Sequence, residues 1–138
     1  MPLQLDIVTP EKRVLSEQVD SVVLPGSEGE LGILPSHVPL VTALKPGELV
    51  YTQSGKSLHF AVGTGFVEVT GSTVSVLTDM AASEHDIDEK AVEEALARAQ
   101  ERLAGLKHDE SAEEVAVVMA NIQKSMAQLH LKRRRRSI

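Results

Sequence analysis

Short alternating patterns of apolar and polar residues run from Leu3 to about Asp79, and Gly or Pro interrupts them every few residues. A period of two places alternate side chains on the same face of a β-strand. The clearest inward-facing sets are Leu3, Leu5 and Ile7; Leu58, Phe60 and Val62; Val67 and Val69; and Val74 and Val76. This part of the chain is therefore predicted to form short strands.

Turn-forming residues separate these predicted strands. They are Pro25-Gly26, Pro46-Gly47, Ser54-Gly55 and Thr70-Gly71-Ser72. No segment between them is long enough for a crossover helix, so neighbouring strands are expected to run antiparallel. The pattern predicts an antiparallel β-sandwich or barrel.

After Ser83 the pattern changes to a helical period, and Gly and Pro become rare. A first helix is expected over residues 86–106, because Asp86 can cap it. The inward face of this helix is expected to consist of Ala91, Ala95, Ala99, Leu103 and Leu106. The sequence thus predicts a second, helical part.

A second helix is expected over residues 111–132, because Ser111 and Glu114 have the spacing of a capping box. Its predicted inward face is Val115, Val118, Met119, Ile122, Met126 and Leu129. Residues 107–110 would reverse the chain between the helices. The alanine-rich face of the first helix buries little area, at about 25 cal/mol per Å². A hairpin that can leave the sandwich and a hairpin that stays docked are both compatible with this pattern.

The length of 138 residues is that of one ordinary domain with a small addition. No run approaches the roughly 20 apolar residues that cross a bilayer, and residues 1–10 lack the features of a secretory signal. The protein is therefore expected to be intracellular or to lie on the cytoplasmic side of a larger structure. Cysteine is absent, which excludes disulfides, thiolate zinc sites and cysteine nucleophiles.

No constellation of catalytic or metal-binding residues is evident in the sequence. The five histidines have no spacing suited to zinc; they are His37, His59, His85, His108 and His130. There is no nucleophile-elbow motif, and adjacent carboxylates such as Glu93 and Glu94 have the pattern of solvated helix charges. The sequence favours a binding protein and not an enzyme.

The glycine-rich segment 26–32 does not have the composition of a phosphate-binding loop. Its two carboxylates, Glu28 and Glu30, would repel an anion. The segment could be a pair of tight turns that glycine permits, or a loop that presents acidic side chains to a partner.

The charge of the chain is distributed unevenly. Its formal net charge is -6, yet residues 132–136 are five consecutive cations. Unpaired cations in a row repel one another, so an acidic partner surface is expected to bind them. Nucleic acid is disfavoured because aromatic residues make up only 2% of the chain. A free-standing module whose tail binds nucleic acid or an anionic membrane remains the alternative.

Two motifs carry a resemblance to a known family. The segment GSEGELGILPSHVPL at 26–40, followed by TALKPG at 42–47, resembles the epsilon-subunit family of bacterial F-type ATP synthases. LDIVTP at 5–10 and GTGFVEV at 63–69 extend the resemblance along the chain. The resemblance implies an α+β fold, with an N-terminal antiparallel β-sandwich at 1–84 and a C-terminal α-helical hairpin with a basic tail at 85–138.

The resemblance also implies a role in a rotary enzyme. The protein would be a non-catalytic subunit of the central stalk, whose sandwich binds the gamma subunit and the c-ring. Its hairpin would inhibit ATP hydrolysis by the alpha/beta catalytic head. It would be a peripheral protein on the cytoplasmic face of the inner (plasma) membrane, held there only through the complex.

The family's functional positions can be carried over to individual residues. The loop that faces the c-ring falls on Glu28, Glu30 and His37. The inhibitory contact with the beta subunit falls on Lys124, Lys132, Arg133, Arg134, Arg135 and Arg136.

Some members of the family bind ATP through a motif of Ile or Leu, Asp, two variable residues, Arg and Ala. Ile87 and Asp88 match its first two positions, but Ala91 stands where the arginine belongs. Of the family's second-helix cations only Lys124 is present, because Gln128 occupies the other position. No cofactor, and no saturable binding of ATP, is therefore expected.

Overall fold

A computed structural model describes residues 3–106 and 111–136 of the chain. Within them, ten strands precede a single 3-10 turn (Glu84–Asp86) and two helices. The strands are β1 (Leu3–Val8), β2 (Arg13–Val19), β3 (Ser21–Gly26), β4 (Gly29–Ile33), β5 (Leu40–Leu44), β6 (Gly47–Gln53), β7 (Lys56–Val62), β8 (Gly65–Thr70), β9 (Thr73–Thr78) and β10 (Ala81–Ser83). The helices are α1 (Glu89–Ala104) and α2 (Ala112–Arg136). The predicted fold class, a β-sandwich followed by a helical hairpin, is confirmed.

The strands form one hydrogen-bonded series in the order β10-β7-β6-β3-β5-β8-β9-β1-β2, and β4 pairs with β3. The prediction of antiparallel pairing holds for every described pair except one, because β1 runs parallel to β9. Seven strands separate these two along the chain, so no short turn dictates their relative direction.

The strand series folds back on itself and encloses the core, because β2, at one end of the series, packs against β6. The side-chain amide of Gln53 at the end of β6 donates to the carbonyl oxygen of Gln18 in β2 at 2.8 Å. The alternation expected for β1 is observed, since Leu3, Leu5 and Ile7 are fully buried. The enclosed core contains residues from nearly all strands, including Val22, Leu24, Leu49, Val62, Val67, Val69, Val74 and Val76.

The helices begin close to the predicted positions, with one correction. Asp86 does not cap α1; it accepts a hydrogen bond from the Ser83 hydroxyl at 2.8 Å within the 3-10 turn. Asp88 caps α1 instead, accepting from the Ala91 amide at 3.2 Å. The predicted cap of α2 is confirmed, because the Glu114 amide donates to Ser111 Oγ at 3.1 Å. The predicted reversal at 107–110 lies outside the described residues.

The predicted inward faces of both helices are wrong in part. Ala91 is exposed, and Val92 is buried in its place. Met119 and Met126 are 47% and 54% exposed, whereas Leu131, which the pattern did not include, is fully buried. The reason is that α2 packs against both α1 and the sheet strands β6 and β7, so its buried stripe is rotated towards the sheet.

A second hydrophobic cluster joins the hairpin to the sandwich. Its buried members are Ala61 of β7, Ile87, Val92 of α1, and Leu129 and Leu131 of α2. Ala61 occupies the outer face of the sheet, where a small side chain lets α2 approach closely. The hairpin is thus docked along one face of the sandwich.

Candidate functional site

The contact between hairpin and sandwich brings together most of the described cations that the sequence singled out. Lys124 Nζ lies 3.0 Å from Asp79 Oδ2. Asp79 is itself held by Thr64, whose amide and hydroxyl donate to its two carboxylate oxygens at 3.1 and 3.0 Å. A Cβ on Gly63 would lie 2.1 Å from Asp79 Oδ1, so the glycine permits this close approach.

Arg133 pairs with the first helix. Its Nε donates to Glu89 Oε1 at 2.9 Å, and its Nη2 donates to Glu93 Oε1 at 2.5 Å. The two acids are four residues apart and therefore lie on the same face of α1. The hydrogen bond to Glu89, and then that to Glu93, raises the pKa of the Arg133 guanidinium. Arg133 therefore ties the end of α2 to the start of α1.

Arg134 reaches the sandwich itself. Its Nη2 donates to Glu48 Oε1, the same oxygen that His59 Nδ1 contacts from the adjacent strand. Arg134 Nη2 also lies 3.4 Å from His59 Nδ1. The side chains of His59 and Glu48 are only 12% and 17% exposed. Strand pairing makes them diagonal neighbours on the outer face, because β6 and β7 align Glu48 with Ala61 and Val50 with His59.

Lys132 completes this set by donating from Nζ to the carbonyl oxygen of Glu84 at 3.2 Å. In this docked state, groups of the same chain bind Lys132, Arg133 and Arg134. The side chains of Arg135 and Arg136 lie outside the described part. An inhibitory contact of these cations with a beta subunit stays a prediction.

A cleft of about 470 Å³ separates the two helices at their middle. Its polar lining includes Arg98, Arg102, Lys124 and Gln128. The sequence reasoning did not identify Arg98 and Arg102, although their spacing of four residues places them on one helical face.

The two residues that match the ATP motif have structural roles in this state. Ile87 is buried in the cluster between hairpin and sandwich, and Asp88 caps α1. The expectation of no ATP binding stays a prediction.

The residues expected to face a ring lie on β4 and in the segments on either side of it. Glu28 is exposed in the turn of the β3–β4 hairpin, and Glu30 is exposed on β4. His37 is half-buried in the segment after β4, where its Nδ1 lies 2.7 Å from the carbonyl oxygen of Val38. Exposed Leu34 and Val38, which the sequence reasoning did not single out, accompany them.

An exposed apolar row crosses the outer face of four strands. The strand register aligns Ala43 with Phe66, Phe66 with Leu77, and Leu77 with Val8. Phe66 is 60% exposed and Leu77 is 51% exposed. We call these four residues the outer apolar row. The outer apolar row was not among the sequence predictions, because these concerned only the inward positions of the strands. An apolar residue at the outward position of several adjacent strands would have indicated it.

Within residues 3–106 and 111–136, no group of three or more His, Asp or Glu side chains is arranged to hold a metal ion. Neither helix in that part of the chain combines the length and apolar composition needed to cross a membrane.

Two family models together match residues 2–132. The model of the ATP synthase delta/epsilon chain β-sandwich domain matches residues 2–84. The model of the delta/epsilon chain long α-helix domain matches residues 85–132.

Bacterial proteins named ATP synthase epsilon chain are similar over most of the chain. The protein of Herpetosiphon aurantiacus is 40% identical over 99% of this chain and 98% of its own length. That of Desulforamulus reducens is 54% identical over 72% of this chain and 76% of its own length. A chain in the Euglena gracilis mitochondrial ATP synthase structure of OSCP, F1 and c-ring shares the fold, with a TM-score of 0.73, 22% identity, and coverage of 94% of this chain and 79% of that one.

Proposed function

Because this chain belongs to the ATP synthase delta/epsilon chain family, we propose that it is the epsilon subunit of an F-type proton-translocating ATP synthase. In this role it is a non-catalytic part of the central stalk and links the gamma subunit to the c-ring. The observation that carries the proposal is the match of both family domains, in their order, to residues 2–132. The relatives named epsilon chain support the choice within the family.

The outer apolar row is the surface proposed to bind the gamma subunit. Phe66 and Leu77 are large, exposed and adjacent, in a chain that contains only two phenylalanines. Exposed apolar side chains in a contiguous row are typical of interaction surfaces, and buried aromatic anchors contribute much of the affinity of an interface. In the neighbouring row on the same face, Glu68 and Ser75 are polar and would form the rim, whereas Val41, which is paired with Glu68 and 69% exposed, would extend the apolar surface.

The exposed side chains of β4 and of the segments on either side of it are proposed to face the c-ring. Glu28 and Glu30 offer exposed carboxylates there, and Leu34 and Val38 add exposed apolar area. The combination suits a contact with a polar loop of another subunit, because charges orient a contact that apolar groups stabilise. Replacing Glu30 and His37 by Ala should weaken attachment to the ring without unfolding the sandwich.

The hairpin is proposed to regulate ATP hydrolysis by the alpha/beta head. In the docked state Lys124 is bound by Asp79, Arg133 by Glu89 and Glu93, and Arg134 by Glu48. An acidic surface on the head could replace these partners when the hairpin leaves the sandwich. The protein is accordingly proposed to be a peripheral protein on the cytoplasmic face of the membrane, held by its complex.

Purification of the tagged chain from its host tests the assignment. Recovery of a multi-subunit membrane ATPase is expected, whereas recovery of RNA or lipid alone would contradict it. Phe66→Asp should lower the affinity for gamma at least tenfold, because a charge would replace an apolar anchor. Glu68→Gln, one row away on the same strand, is the matched control and should bind as the wild type does. Equal binding by Phe66→Asp would exclude the outer apolar row as the gamma surface.

A further inference from the structure

Glu48, His59 and Arg134 form a triad in which two cation-forming side chains share one carboxylate oxygen. Glu48 lies on β6 and His59 lies on β7. Arg134 lies in the last turn of α2. Both His59 Nδ1 and Arg134 Nη2 contact Glu48 Oε1. Two members therefore lie on the sandwich, and the third leaves with the hairpin.

We propose that this triad is a pH-sensitive latch, in which protonation of His59 weakens the docking of the hairpin on the sandwich. When His59 is neutral, Glu48 Oε1 binds Arg134 without a competing positive charge on the imidazole. A charged His59 competes with Arg134 for Glu48 Oε1 and brings a second positive charge to within 3.4 Å of the guanidinium nitrogen. Either neutral tautomer gives the same result, since the added proton puts a positive charge on the ring.

The direction of the effect follows from linkage. When the hairpin is docked, the charged imidazole faces both Glu48 and the cation of Arg134. When the hairpin leaves, Arg134 leaves with it and Glu48 remains beside His59. The proton is therefore bound more favourably in the undocked state, and by reciprocity acid favours undocking. Histidine is the side chain whose charge ordinarily changes between about pH 5 and pH 8.

Other charged groups near the triad do not reverse this direction. From the 3-10 turn, Glu84 and His85 line the same shallow cavity as His59. Both precede α1 and follow directly on β10, which is paired with β7. On α2, Arg133 and His130 line a neighbouring cavity with Arg134. These two also leave with the hairpin, and a positive charge on either acts in the same sense as Arg134.

The test measures how well the docked hairpin protects a buried thiol. The chain has no cysteine, so Val92→Cys introduces a unique thiol of nearly the same size in the cluster between hairpin and sandwich. Its rate of reaction with a disulfide reagent is compared with that of the same chain unfolded in urea, at pH 8 and at pH 5.5. The ratio of the two rates gives the protection at each pH.

Protection is expected to fall two- to fivefold between pH 8 and pH 5.5, the range for an ion pair of this exposure. His59→Gln should abolish the change with pH. Arg134→Gln should lower protection at pH 8 and also abolish the change, and its exposed position makes misfolding no concern. A chain in which His37, His85 and His108 are all Gln, with His130 and the triad unchanged, should keep the wild-type response.

Two results would overturn the latch. One is equal protection at pH 8 and pH 5.5 in the chain that carries the native triad. The other is a fall in the His59→Gln or Arg134→Gln chain as large as that in the native one. Both measurements are made on the isolated full chain, so they do not depend on the assignment to an ATP synthase.

Discussion

At the scale of single residues, Gly63 shows how one missing side chain permits a contact between two parts of the chain. An added Cβ would lie 2.1 Å from Asp79 Oδ1 and 2.9 Å from Lys124 Cδ. Gly63→Ala must therefore displace the carboxylate that Lys124 binds, and it should destabilise the protein by about 1–3 kcal/mol. Gly32→Ala, where no atom lies within 4 Å of the added Cβ, is the control and should be near neutral in urea unfolding. Equal stability of the two variants would contradict this account.

Asp6 gives a pH-dependent prediction at the same scale. The hydrogen bond from Ser16 at 2.7 Å, more than the weaker one from Gln4, lowers the pKa of Asp6 from its usual 3.8. A lowered pKa contributes stability above the unfolded-state value, and that stability is lost as the pH falls through the folded-state value. Ser16→Ala should therefore be less stable than wild type at pH 6, and the difference should shrink below about pH 4. Urea unfolding at both pH values measures it; a difference that does not change with pH would exclude this role of Ser16.

At the scale of elements, the strands were more predictable than the helix faces. A strand's inward face follows from a period of two within a few residues, and β1, β8 and β9 obey it. Which side of a helix is buried depends on everything that packs against it. Since α2 contacts both α1 and the sheet, Leu131 is buried and Met126 is exposed, although both are apolar. The sequence of α2 alone therefore does not show which of its faces the sheet covers.

The same limit applies to the basic tail. A run of cations predicts that acidic groups bind it, but it does not predict which acidic groups these are. Two of those acids, Glu89 and Glu93, are on the preceding helix, and Glu48 is on a strand 86 residues away from Arg134 in sequence. Only the docked position of the hairpin brings them together. The spacing of Glu89 and Glu93 was visible in the sequence, but their partner was not.

The buried side of α2 leads to a prediction about docking. Leu131→Ala should destabilise the protein by about 2–4 kcal/mol, because it removes a fully buried side chain from the cluster between hairpin and sandwich. Met126→Ala, five residues earlier on the same helix and largely exposed, should change stability by less than about 0.5 kcal/mol. Thermal unfolding of the two variants measures the difference. Equal effects would mean that α2 is not docked as described.

At the scale of the whole molecule, the cations of α2 have two proposed roles that oppose each other. Bound to Glu89 and Glu93, Arg133 holds the two helices of the hairpin together. Bound to an acidic surface of the catalytic head, the same cation would favour the inhibitory state. Replacing the cations by Ala removes both roles, so the effect on inhibition would combine two opposite terms. Replacing Glu89 and Glu93 removes only the first role, in which Arg133 holds the hairpin closed.

In the assembled enzyme, replacing the acids and replacing the cations should therefore have opposite effects on inhibition. Glu89→Gln with Glu93→Gln should strengthen inhibition of ATP hydrolysis about two- to fivefold, because exposed pairs of this kind modestly stabilise the closed hairpin, in which α1 and α2 are held together. Alanine at Arg133, Arg134, Arg135 and Arg136 should relieve inhibition, approaching the activity of enzyme whose chain ends at Ser83. Glu94→Gln, an exposed neighbour for which no ion pair is described, is the matched control. Steady-state hydrolysis by reconstituted enzyme across a salt series measures all four, and salt should weaken both effects because exposed charges are screened beyond about 8 Å at physiological ionic strength. If the glutamine and alanine variants both inhibit as the wild type does, charge has no part in regulation, and insertion of the helix itself would have to be the cause.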